Sequence, residues 1–212
     1  MITFTQCFIL GLIISAAAQA HQVPNMTIEA DFDATGSFEL TVNVDPRVIL
    51  STQPTSLPPV AAAWYLDQSR EQVKESLKKA TDYLVKNLKL TFGTETLPLP
   101  GATWQAMDGA TNLPLTAETT EAHLLATLRG TVPGTAQDFV LGFGAEAQVS
   151  LILLLKKAGQ AEPKVQVLFP GENSRPFSIP APPTKAKKPD FNPLWLLLLS
   201  PLIYAWWRRT KR

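Results

Sequence analysis

Between residues 25 and 33 apolar and polar side chains alternate without a break. Met26, Ile28, Ala30 and Phe32 fall on one side of the chain, Thr27, Glu29, Asp31 and Asp33 on the other. The alternation returns a few residues later, with Phe38, Leu40, Val42 and Val44 set against Ser37, Glu39, Thr41 and Asn43. A period of two is that of a strand whose one face is buried. The connector Asp33-Ala34-Thr35-Gly36 has turn chemistry, so the pattern predicts an antiparallel hairpin.

After a Pro-rich loop holding Pro46, Pro54, Pro58 and Pro59, the period changes. Over residues 67–87 Val73, Leu77, Ala80 and Leu84, with Leu88 just beyond, line one helical stripe, and Ser69 followed three residues later by Gln72 reads as a capping box. Glu71, Lys74, Lys78, Lys79 and Lys86 form the opposite face, read as solvated; a basic binding patch is the sharper alternative. Further strands are predicted over residues 88–92, 97–107, 121–129, 138–143, 148–156 and 164–169, divided by Gly93, Asp108-Gly109, Pro133-Gly134, Gly159 and Pro170-Gly171. The run from Leu151 to Leu155 is continuously apolar, which predicts a strand covered on both faces. The fold class expected is α+β and mainly β: an antiparallel β-sandwich-like domain with one amphipathic helix, plus a C-terminal single transmembrane segment.

The ends read as addresses. Residues 8–17 are apolar and lead into Ala18-Gln19-Ala20, whose small residues suit signal-peptidase cleavage, so residues 1–20 are a predicted signal peptide and His21 the mature N-terminus. No Lys or Arg precedes the apolar run, which leaves an uncleaved N-terminal anchor as the alternative. At the other end residues 194–207 carry no charge, with Trp195 near one edge and Tyr204, Trp206 and Trp207 near the other, as in an interfacial aromatic belt. Fourteen helical residues span only ~21 Å of a ~30 Å hydrocarbon core. The basic tail, residues 208–212, would stay cytoplasmic and leave the domain outside. The bilayer is thus an expected partner of residues 194–207; a processed sorting signal and a buried core helix are the competing readings. Residues 177–193, with five Pro and three Lys, are expected to form a semi-rigid stalk, which assigns 21–176 to the β-rich domain.

Composition narrows the field. Hydrophobic residues make up 45% of the chain and charged residues 17%, enough apolar material for a core. The net charge of +1 includes Arg208, Arg209, Lys211 and Arg212, so the remainder is acidic and offers no basic face for nucleic acid. The only cysteine, Cys7, lies in the predicted leader, leaving the mature chain without thiol or disulfide.

No residue pair in the linear sequence declares a nucleophile with its base, and there is neither a phosphate-binding loop nor a dinucleotide fingerprint. Asp31 and Glu39 would face each other across the hairpin, as surface acids. No catalytic, cofactor-binding or metal residue is therefore assigned, and no cofactor is expected. One metal reading stands as an alternative: a free N-terminal His21 offers an amine and an imidazole, a chelate suited to copper(II) or nickel, and His123 would add a nitrogen if the fold brought the two together.

The order of features carries a resemblance: His21 at the mature start, the hairpin, the helix, Leu88-Lys89-Leu90-Thr91-Phe92-Gly93 leading to Leu97-Pro98-Leu99, and Pro170-Gly171-Glu172-Asn173-Ser174-Arg175-Pro176-Phe177 at the close. Over about residues 21–179 it resembles the extracytoplasmic N-terminal domain of the HupE/UreJ-type membrane proteins, which are associated with hydrogenase and urease accessory functions and with nickel or cobalt handling. Family members continue into a multi-helix membrane region where this sequence has one short apolar segment. The stretch Leu66-Asp67-Gln68-Ser69-Arg70-Glu71 also lacks the alternating oxygen ligands of the calcium-type loop found in some relatives. The resemblance implies fold and location, not permease activity, and no site residue carries over. The expected role is a membrane-anchored extracytoplasmic accessory or interaction domain without enzymatic activity, with a membrane protein as partner. A metal-binding protein using His21 and an uncharacterised hydrolase are the alternatives.

Overall fold

The computed structural model describes residues 24–180 except Thr135, all within the first of the two units into which the chain divides after Pro182. The predicted leader, His21, residues 181–193 of the stalk, the apolar run 194–207 and the basic tail lie outside the described residues. Among the described residues no helix is long and apolar enough to cross a membrane.

The hairpin forms as its alternation demands. β1 (Asn25–Phe32) and β2 (Ser37–Val44) pair antiparallel, Ile28 opposite Val42 and Ala30 opposite Leu40. Asp33 ties the turn, its Oδ1 accepting from the Thr35 N–H at 2.8 Å, the Thr35 hydroxyl at 2.7 Å and the Ser37 N–H at 2.9 Å. These bonds, that from the Thr35 hydroxyl foremost, hold the Asp33 carboxyl below the usual carboxylate range. Gly36 closes the turn at φ +86°, a left-handed conformation that a Cβ would strain.

The Pro-rich stretch is more structured than a loop. It holds α1 (Arg47–Leu50), a 3₁₀ turn at Pro54–Ser56 and α2 (Ala63–Leu66). Pro54 sits at the first position of its turn, where a missing N–H leaves no bond unmade. The amphipathic helix α3 (Arg70–Asn87) starts at the capping box: the Gln72 N–H donates to Ser69 Oγ at 3.3 Å, and the Ser69 N–H donates to Gln72 Oε1 at 2.8 Å. Ala80 and Leu84 are fully buried, and the charged face is exposed, with Lys78 paired to Asp82 at 2.7 Å and Lys86 to Glu146 at 2.5 Å.

Eight strands follow: β3 (Leu88–Phe92), β4 (Glu95–Leu97), β5 (Ala102–Asp108), β6 (Ala122–Thr131), β7 (Asp138–Phe143), β8 (Ser150–Lys157), β9 (Lys164–Leu168) and β10 (Phe177–Ser178). They and the hairpin make a six-stranded sheet of order β5-β6-β2-β1-β8-β9 and a four-stranded sheet of order β10-β7-β3-β4. The domain is mainly β, with two sheets and few helices.

Four expectations need correction. Residues 97–107 are not one strand, because Pro98, Pro100 and Gly101 interrupt the ladder: Leu97 ends β4 in the smaller sheet, and residues 102–107 enter the larger one as β5. The larger sheet is not wholly antiparallel, since β8 runs parallel to β1, Met26 beside Leu151 and Ile28 beside Leu153. Strand β8 is fully buried on one face only: Leu151, Leu153 and Leu155 are buried, whereas Ile152 and Leu154 are half-buried. The domain also extends past Pro176 into the expected stalk, where Phe177 pairs with Phe139 and both Phe177 and Ile179 are buried.

The two sheets meet through phenylalanines. The Phe32 ring lies 5.0 Å from that of Phe139, 6.4 Å from Phe92 and 5.8 Å from Phe177, and Phe38 lies 5.1 Å from Phe92. With Leu84 of α3, these side chains make one core on the inner face of the six-stranded sheet.

Candidate functional site

Polar residues of the alternating pattern converge on the other face of the six-stranded sheet. His123 of β6 pairs with Met107 of β5, and Asn43 of β2 stands two residue pairs away on the same face, opposite Leu125. Asp45 follows β2 directly, and in continuing register it comes opposite His123. Glu121 precedes β6 and, two residues from His123, shares its face. Together they line a cleft of about 530 Å³.

His123 is held from several sides. Its Nδ1 lies 2.6 Å from Asn43 Oδ1 and its Nε2 lies 3.2 Å from Glu121 Oε1, with both the His123 and Glu121 side chains only 12% exposed. Gly109 supports the ring: a Cβ there would stand 2.6 Å from Cδ2 and 2.7 Å from Nε2 of the imidazole, so a residue with a side chain would displace it. The amide oxygen of Asn43 is an acceptor, which places a proton on Nδ1 and leaves Nε2 facing the Glu121 carboxylate, as a donor in the imidazolium and as a lone pair in the neutral ring.

Asp45 is buried and paired with the buried Arg47, whose Nε and Nη2 donate to its Oδ2 at 2.8 and 2.6 Å. Its Oδ1 accepts the Arg47 backbone N–H at 2.9 Å, and Arg47 Nη1 donates to the Leu57 carbonyl at 3.2 Å. The chain thus folds back over two residues to neutralise a carboxylate that would be costly to bury alone, and α1 is pinned to the end of β2. The Asp45 carboxylate, which lines the cleft, keeps acceptor capacity beyond these bonds, because a carboxylate offers about four lone-pair sites. One carboxylate oxygen from each of Asp45 and Glu121 and one His123 ring nitrogen lie within 4.8 Å of one another.

A larger, more open cleft of about 860 Å³ sits at the hairpin end of the same sheet, between Asp31, Glu39, Arg129 and Lys156. Its charges already compensate one another. Arg129 Nε donates to Glu39 Oε2 at 2.6 Å, and Asp31 lies between Glu39 and Lys156 in the register. Asp31 and Glu39 do face each other, as the hairpin predicts, in the setting of surface acids.

Of the two histidines, His21 lies outside the described residues. His123 faces outward, as its place between Ala122 and Leu124 suggests, yet it is partly buried and tied into a network rather than free on a surface. Asn43, Asp45 and Glu121 were not singled out from the sequence. The one local signal is the Glu121-Ala122-His123 spacing, which puts carboxylate and imidazole on one face of a strand. No serine, threonine or cysteine occupies either hydrogen-bonding position of His123; the network can bind and orient, and holds no hydroxyl or thiol poised as a nucleophile there. No protein-family model matches this chain, and no curated protein matches it.

Proposed function

We propose that this protein is a membrane-anchored, extracytoplasmic accessory domain that acts by binding rather than catalysis, and that it binds through the cleft around His123. The observation that carries this reading is the partly buried His123, clamped by Asn43 and Glu121 on the outward face of the six-stranded sheet. A stabilising role alone would not need such a network at the solvent side, because the core already fills the inner face. The sandwich-like arrangement of two sheets gives the cleft a rigid floor. The apolar run 194–207 and its basic tail support the anchor and its orientation. The expected partner is a membrane protein beside which the domain is tethered.

The test places a photo-crosslinking residue at Thr41 or Leu125, both in the cleft, or at Lys89 on the other sheet, in the full chain expressed in its native host. Crosslinks to one membrane-protein partner from Thr41 and Leu125 but not from Lys89 are expected. Equal yields from all three positions, or none, overturn the reading. Membrane-impermeant labelling of a Thr41→Cys chain in intact spheroplasts checks the location, and a protected thiol refutes it.

A further inference from the structure

We infer that Asp45, Glu121 and His123 form a site for a divalent first-row transition-metal cation, and that this cation is a ligand of the cleft; the inference rests on the reading of the cleft as a binding site.

Three independent features of the geometry lead there. The first is the tautomer. Asn43 Oδ1, 2.6 Å from Nδ1, fixes a proton on that nitrogen, so Nε2, which faces Glu121 Oε1 at 3.2 Å, presents a lone pair whenever the ring is neutral. Two acceptors facing each other repel unless a positive species lies between them. An Nδ1–H donated to a fixed oxygen is also the usual outer-shell arrangement of a metal-bound imidazole, since it orients the ring and raises the basicity of the other nitrogen. The second feature is spacing. With bonds of about 2.1 Å to each atom, a cation spanning 3.2 Å between Nε2 and Oε1 subtends an angle of about 100°, within the range of tetrahedral and octahedral centres. The Asp45 carboxylate lies within 4.8 Å of both, and ligands across an octahedral centre stand about 4.2 Å apart, so a small side-chain movement brings in a third ligand.

The third feature is charge. The cleft is lined by three carboxylates, Glu29, Asp45 and Glu121, against one cation, Arg47, which already faces Asp45. A divalent ion relieves this excess, whereas an anionic ligand would add to it. The donor set of one imidazole and two carboxylates is borderline in softness. It suits cobalt, nickel, zinc or manganese, and without a thiolate it does not select copper(I). Three protein ligands leave positions open to water or to a donor on a bound partner. Met107, beside His123 in the register and buried, supplies an apolar wall on one side.

The protein has two histidines, so a His21→Ala change leaves His123 as the sole imidazole and removes any chelate at residue 21. The full chain carrying that change, solubilised in detergent and stripped with chelator, is titrated with zinc while the imidazole nitrogens are followed by NMR. The same chain is titrated with cobalt while its visible absorption is recorded. The expected result is one equivalent bound, a large shift of the Nε2 resonance with Nδ1 keeping its proton, and ligand-field bands from cobalt. His123→Ala and Glu121→Gln should each weaken binding roughly tenfold or more, with circular dichroism unchanged; Glu29→Gln, on the cleft rim, should change it less than threefold.

An imidazole spectrum that zinc does not move refutes the site without recourse to any variant. Binding that survives both His123→Ala and Glu121→Gln refutes it as well. A doubly protonated ring at neutral pH that excludes zinc would show that a proton fills the gap instead, and would also overturn the inference. If zinc fails while crosslinks from Thr41 and Leu125 persist, the metal is wrong and the binding cleft stands. If both fail, the cleft itself is wrong.

Discussion

The rings of Phe32 and Phe139 lie 5.0 Å apart, one from each sheet, and Phe32 touches three further phenylalanine rings, Phe38, Phe92 and Phe177. Phe32 is therefore the joint between the layers rather than one core residue among many. Phe32→Ala should destabilise the domain by about 3–5 kcal/mol, through lost burial and the cavity left behind. Chemical denaturation of the domain measures this. A loss under 1 kcal/mol would mean that the sheets are held elsewhere.

Phe177 carries the fold past the boundary expected at residue 176. Its pairing with Phe139 and its burial put β10 inside the fold, although the Pro content that begins nearby reads as stalk. A chain stopped after Pro176 should melt well below one stopped after Pro180. Thermal melts of the two, followed by circular dichroism, settle the point, and equal melting temperatures would return residues 177–180 to the stalk.

The capping box predicts a local, additive effect. Ser69→Ala removes the acceptor of the Gln72 N–H at the start of α3 and should lower stability by about 1 kcal/mol. Ser69→Asp should retain most of it, because the carboxylate can accept the same bond. Loss of the same size in both variants would mean that the cap contributes nothing specific.

Tyr83 makes the fold sensitive to alkali. Burial against the sheet pushes its phenol up to about 12, whereas an exposed tyrosine in the unfolded chain titrates near 10. Between those values the folded state keeps a proton that the unfolded state releases, so stability is full below about pH 10 and falls as pH rises toward 12. Tyr83→Phe should flatten that part of the stability-pH curve while leaving neutral pH little changed. An identical alkaline slope in the variant would assign the effect to other groups.

Gly109 bears on the cleft without contributing a functional group. Gly109→Ala would bring a Cβ to 2.6 Å from the His123 ring, so the imidazole must turn away from Asn43 and Glu121. The expected result is a shifted His123 imidazole signal in a chain whose sheet spectrum is unchanged. An unmoved signal would show that the backbone, not the ring, gives way.

What the sequence determined by itself is what depends on near neighbours. The strict alternation in β1 and β2 places every side chain of the hairpin because a strand's period is two. Asp33 and Gly36 specify the turn through a side-chain acceptor and a left-handed φ. Ser69 and Gln72 mark the start of α3 because both partners of the cap lie within four residues.

The tertiary structure decided what depends on strands meeting. Nothing local to residues 151–155 says that they lie parallel to β1, or that one of their faces is only half-buried. Likewise, nothing in 97–107 assigns its two ends to different sheets. The site belongs to this second kind. Asn43 and His123 are eighty residues apart in the chain and 2.6 Å apart in space, and Asp45 comes opposite His123 only because β2 and β6 pair in one register. A shift of that register by one residue would turn His123 into the core, where an imidazole has no partners. The packing of Leu124, Ala126 and Leu128 against the inner layer selects the register, so burial of the apolar face is what assembles the polar cleft on the other side.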